Sequence, residues 1–159
     1  MNDNLTDAQM KVLLENTIKD AETAIEYYSA IEPGLHRIAS EREKVMKAAE
    51  VAMKKSQDFL VIAQTSYGKG KKECDAPFKA ACSYLSTYLN CVGEYQSAFD
   101  NANNVSINLD ALREKYAHLI KWRHDPRTAL YTINNHAQSN MIDNLLDVIG
   151  SKKKATGEN

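Results

Sequence analysis

The densest group of reactive side chains lies at residues 122–127, Trp-Arg-His-Asp-Pro-Arg, where the only tryptophan stands beside two arginines, a histidine and an aspartate. A histidine next to a carboxylate is the core of a general base, because the carboxylate can orient the imidazole and stabilise its charged form. Two observations oppose that use. Adjacent residues at a helix junction rarely point the same way, and no serine or cysteine stands close in sequence to act as nucleophile. Asp125 before Pro126 is instead the pair expected where a helix begins. The carboxylate accepts from orphan amides, and proline fills the first position, which needs no amide hydrogen. The residue preceding a proline also leaves the helical region readily. The stretch therefore predicts a corner, with Trp122 packed across it.

Other candidate chemistry is sparser. Four histidines, His36, His118, His124 and His136, are scattered along the chain. Di-metal helical bundles use Glu-x-x-His motifs on two helices, and none occurs here. Glu114 and His118 share a helical face with Asp110, but that face lies opposite the apolar stripe and is expected in solvent. No metal and no cofactor are expected. Residues 67–77, YGKGKKECDAP, lack the GxxxxGK[ST] spacing of a phosphate loop and follow no strand, so they predict a solvated inter-helix connection. Cys74, Cys82 and Cys91 leave at least one thiol unpaired. Cys82 and Cys91 would stand roughly 13 Å apart along one helix, so they cannot bridge within it. Free thiols are the expectation.

These residues must be positioned by helices. The 159 residues include only six glycines and three prolines, and no β-branched alternation is sustained. The fold class is all-α. The spacing predicts an elongated antiparallel bundle of about five helices, three long and two shorter: 6–31, 35–67, 76–100, 109–123 and 126–149. Pro33-Gly34 is expected to separate the first two, and the asparagine-rich run 100–108 to separate the third and fourth. Residues 1–150 read as one bundle domain, and 151–159 as a flexible basic tail. The second helix carries a stripe at Leu35, Ile38, Arg42, Val45, Ala49, Ala52, Ser56, Phe59 and Ala63, flanked by Ala39, Met46, Met53 and Leu60. The third carries Phe78, Cys82, Leu85, Leu89, Val92, Gln96 and Phe99, with only Lys79, Glu94 and Asp100 charged. A helix so poor in charge is expected to be covered on most sides, within the bundle or by another subunit.

The net charge of −1 argues against a dedicated nucleic-acid binder. No run of about 18 apolar residues predicts a membrane span. The opening MNDNLTDAQM has neither a basic start nor an apolar stretch, so the expected location is cytoplasmic, with export expected only if a signal peptide had been removed. With no catalytic constellation, the sequence favours a non-enzymatic protein-binding module: a small adaptor, chaperone-like, inhibitor or immunity-type protein. Its partner is expected to be another protein, a second copy of itself being one candidate. Tyr84, Tyr88 and Tyr95 on the third helix, and Asn134 and Gln138 on the fifth, are the candidate contact residues, since tyrosine gives large area at little rotamer cost. Two other readings are nucleic-acid association through Lys69, Lys71, Lys72 and the C-terminal lysines, and an exported structural subunit whose signal peptide is absent from this sequence.

Overall fold

Thr6 and Gln9 open the first helix with a reciprocal capping box. The Gln9 amide donates to Thr6 Oγ1 at 3.2 Å, and the Thr6 amide donates to Gln9 Oε1 at 2.9 Å. In the computed structural model, which describes residues 5–135, the chain is helical with no strand among the described residues. Among the described residues there are three α-helices rather than about five: α1 Asp7–Tyr67, α2 Asp75–Lys121 and the short α3 Pro126–Asn135, with a 3-10 turn Lys72–Cys74 before α2. The predicted continuation of the last helix to 149, the tail 151–159 and Gln138 lie outside the described residues.

Two expected breaks are absent, and both have the same cause. Pro33 sits inside α1. It lacks the amide that would bond the Ser29 carbonyl, a cost of about 3 kcal/mol relative to alanine. Its ring is exposed, while Tyr28, Glu32 and Leu35 on the packed side stay partly covered and Ala39 is buried. The apolar spacing runs on without a phase change, so packing on both sides of the proline outweighs its local cost. The run 100–108 is likewise helical within α2. Ala102 and Leu109 extend, at seven-residue spacing, the column begun by Ala81, Tyr88 and Tyr95, and both are buried. Burial overrides the asparagines' weak helix propensity.

The turn between α1 and α2 is built by glycine. Gly68 and Gly70 are left-handed, at φ 97° and 79°. The Gly68 amide still bonds the Gln64 carbonyl at 3.0 Å, ending α1, and the Cys74 thiol donates to the Gly68 carbonyl at 3.4 Å. Lys69, Lys71 and Lys72 are exposed on this turn, as a solvated connection requires.

The chain forms two compact units, Ala30–Val105 and the remainder, Met1–Ser29 with Ser106–Asn159. In the latter, Leu14, Ile18, Ala21, Leu119 and Ala129 form the core, with Tyr116, Trp122 and Leu130 packed against it. This cluster joins α1, α2 and α3 and fixes the corner. In Ala30–Val105, α1 and α2 run antiparallel, and the interior is made of small or slender residues: Ala39, Met53, Ser56, Ala63, Ala81 and Ala102.

Candidate interaction surface

The corner at residues 122–127 forms as its sequence dictates. Asp125 Oδ2 accepts from the Thr128 hydroxyl at 2.6 Å, and Oδ1 accepts from the Thr128 amide at 3.3 Å. These bonds hold the Asp125 carboxyl below its ordinary range. The aspartate thus serves as helix cap. His124 is exposed, with its ring stacked 5.8 Å from Trp122. Arg123 leaves the corner to bond Glu15 through both its Nε and Nη2.

The Glu114–His118 face departs from expectation. Asp110 and Glu114 are exposed, and Asp110 pairs with Arg113 at 3.6 Å. His118 is half-buried, and its Nε2 is enclosed without a hydrogen-bond partner. The interior here reaches further round α2 than a single stripe, covering His118 along with Leu119. Lys115 is also half-covered, and burial pushes its ammonium pKa down despite Asp20 nearby. Among the described residues no three His, Cys, Asp or Glu side chains converge as a metal site. All three cysteines are free: Cys74 buried, Cys91 half-buried and Cys82 exposed.

The unusual feature lies in Ala30–Val105, where the largest apolar side chains are outside. On α1, the largest apolar residues of the predicted stripe, Ile38, Val45 and Phe59, are exposed, Phe59 by 69%. The buried residues come from both columns, Ser56 and Ala63 from the predicted stripe and Ala39 and Met53 from the flanking one. On α2 the rotation is more complete. Phe78, Leu85, Leu89 and Phe99 are 57%, 40%, 57% and 44% exposed, and the column facing α1 is Ala81, Tyr88, Tyr95 and Ala102. The buried positions between the two helices are mostly alanines, and α2 turns its better heptad column elsewhere. Sequence periodicity locates these columns but cannot say which of two adjacent ones faces the neighbour.

The predicted contact residues separate accordingly. Tyr84 is exposed and, with Phe59, flanks an open apolar groove of about 550 Å³ floored by Ala52, Ser56 and Ala80. Tyr88 and Tyr95 are half-buried against α1, near Lys54 and Lys47, and Tyr95 packs its ring 5.9 Å from Phe99. Asn134 belongs to α3, and Gln138 lies outside the described residues. Phe59, Leu85 and Leu89, which the sequence places on apolar stripes, are all exposed in this structure.

Ion pairs line both rims of the hairpin. On the rim beside Tyr88 and Tyr95, α1 carries Glu43–Lys47 and Glu50–Lys54 ion pairs, which raise both lysine pKa values. On the groove side, Arg42, placed by sequence on the apolar stripe, reaches Glu94 at 2.8 Å. No helix among the described residues is long and apolar enough to cross a membrane. Comparison of the chain with protein-family models, curated proteins and solved structures found no match.

Proposed function

We propose that this chain is a non-enzymatic protein-binding module whose contact surface is carried by the α1–α2 hairpin of Ala30–Val105. The observation that supports the reading is the inverted distribution of apolar residues: Ala39, Met53, Ser56, Ala63, Ala81 and Ala102 inside, Phe59, Phe78, Leu85, Leu89 and Phe99 outside. Isolated exposed apolar residues are ordinary, but rows repeating at heptad spacing along a helix are the pattern of an interface. Aromatic and leucine anchors on such a row supply the buried centre that protein partners need.

The test is affinity capture with the wild type beside two variants, Leu85→Glu/Leu89→Glu and Phe59→Glu/Tyr84→Glu. At least one should lose the bound protein, with helix content by circular dichroism unchanged, since all four positions are exposed. If both folded variants retain every wild-type partner, including any second copy of the chain, the hairpin is not the contact surface.

A further inference from the structure

The reading just proposed leaves the α2 row without an occupant. Resting on it, we infer that the occupant is a second copy of this chain, its hairpin laid antiparallel on the same face about a two-fold axis.

From Phe78 to Phe99 the row alternates spacings of four and three through three heptads, the narrow seam of a coiled coil. Lys79 and Asp100 flank this seam on one edge, three heptads apart, one near each end, and both are exposed. In a parallel pair, Lys79 would stand level with the partner's Lys79, and Asp100 with the partner's Asp100. An antiparallel pair brings Lys79 to the partner's Asp100 at both ends. The same arrangement sets Leu89 against the partner's Val92 and Cys82 against the partner's Phe99. Its axis passes the level between residues 90 and 91.

The α1 rim of this face carries a second, independent register. Glu43, Lys47, Glu50 and Lys54 form an acid–base–acid–base row. Reversed on itself about the level between residues 48 and 49, the row opposes Glu43 to the partner's Lys54 and Lys47 to the partner's Glu50. The hairpin's own contacts tie these levels together. Tyr95 lies near Lys47 on one rim, and Glu94 bonds Arg42 on the other. Midway between the rims, residues 48 and 49 stand level with residues 90 and 91. One axis thus serves both rows, and the charge pattern is self-complementary, as a two-fold interface requires. Gly93 lies on the seam's outer edge close to that level, with nothing within 4 Å of a Cβ built there. A glycine in mid-helix weakens the helix relative to alanine, and the close approach of a partner helix gives it a use.

Sedimentation equilibrium over a concentration series tests the inference. The wild type should be a dimer. Leu89→Asp, which sets carboxylates close to each other at the axis, should be a monomer with wild-type helix content. Lys79→Glu and Asp100→Lys should each weaken the dimer roughly tenfold at low salt, and the double variant should recover most of that loss. The charge variants alter exposed side chains, so they decide the matter even if Leu89→Asp fails to fold. A monomeric wild type, a dimer indifferent to folded Leu89→Asp, or a double reversal that recovers nothing overturns the pairing. A monomeric wild type that still captures a different protein through Leu85 and Leu89 overturns self-association while leaving the binding-module reading in place.

Discussion

Arg123 grips Glu15 through two parallel hydrogen bonds, Nε to Oε1 at 2.8 Å and Nη2 to Oε2 at 2.6 Å, across 108 residues of sequence. The fork-to-fork geometry fixes the end of α2 against the first part of α1. The bond to Arg123 holds the Glu15 carboxyl below its ordinary pKa. A carboxyl depressed in the folded state stabilises the fold above its unfolded pKa and loses that contribution as pH falls through the folded value. Glu15→Gln is therefore expected to melt below wild type at neutral pH, with the gap closing as pH falls below the carboxylate range. Thermal melts at pH 7 and at stepwise lower pH check this. A gap that persists unchanged into acid would assign the loss to packing rather than charge.

The core around that ion pair should carry most of the local stability. Leu14 and Leu119 are fully buried and belong to one cluster with Ala129. Leu14→Ala or Leu119→Ala should cost about 2–5 kcal/mol, the range for a buried leucine that leaves a cavity. Ile62→Ala, at an exposed position of α1, should stay within about 0.5 kcal/mol. Urea unfolding of the three variants gives the comparison.

Punctuation was legible in the sequence where one residue's chemistry decides it. Asp125 with Pro126 and the glycines after Tyr67 each act through their own backbone neighbours, and each lies where the sequence put it. Breaks predicted from propensity alone fared worse. Pro33 and the asparagines of 100–108 disfavour helix locally, but Leu35, Ala102 and Leu109 keep the packing columns in phase, and a column spanning many turns outweighs one costly residue. The candidate surface was half legible. The heptad columns at Ile38–Phe59 and Phe78–Phe99 were visible as columns, yet the hairpin interior was taken by Ala39, Met53, Ser56 and Ala63 on α1 and by the column through Ala81 and Ala102 on α2. Nothing in either helix's own sequence records that choice.

Pro33 offers a direct measure of how far packing outweighs propensity. It removes one hydrogen bond from α1 without ending it. Pro33→Ala restores the donor to the Ser29 carbonyl at an exposed position, and is expected to stabilise the protein by up to about 3 kcal/mol. A higher urea midpoint at constant slope would confirm it. Destabilisation would mean that the helix is bent around the proline in a way alanine cannot keep.

Gly68 is the opposite case, a residue whose backbone the turn cannot do without. At φ 97° it stands in the left-handed region, and its carbonyl receives the Cys74 thiol and the Lys71 amide. Gly68→Ala adds a Cβ that meets only the flexible Lys71 side chain, at 3.6 Å, so crowding is not the penalty. The penalty is conformational, about 1–2 kcal/mol for an L-residue held left-handed. Gly68→Asn should cost less, because asparagine visits this region more readily. Urea melts of the two variants, ranked below wild type with alanine lowest, are the expected result. Equal losses from both would point instead to displacement of Lys71, and an unchanged midpoint in Gly68→Ala would show that the turn tolerates a different backbone path.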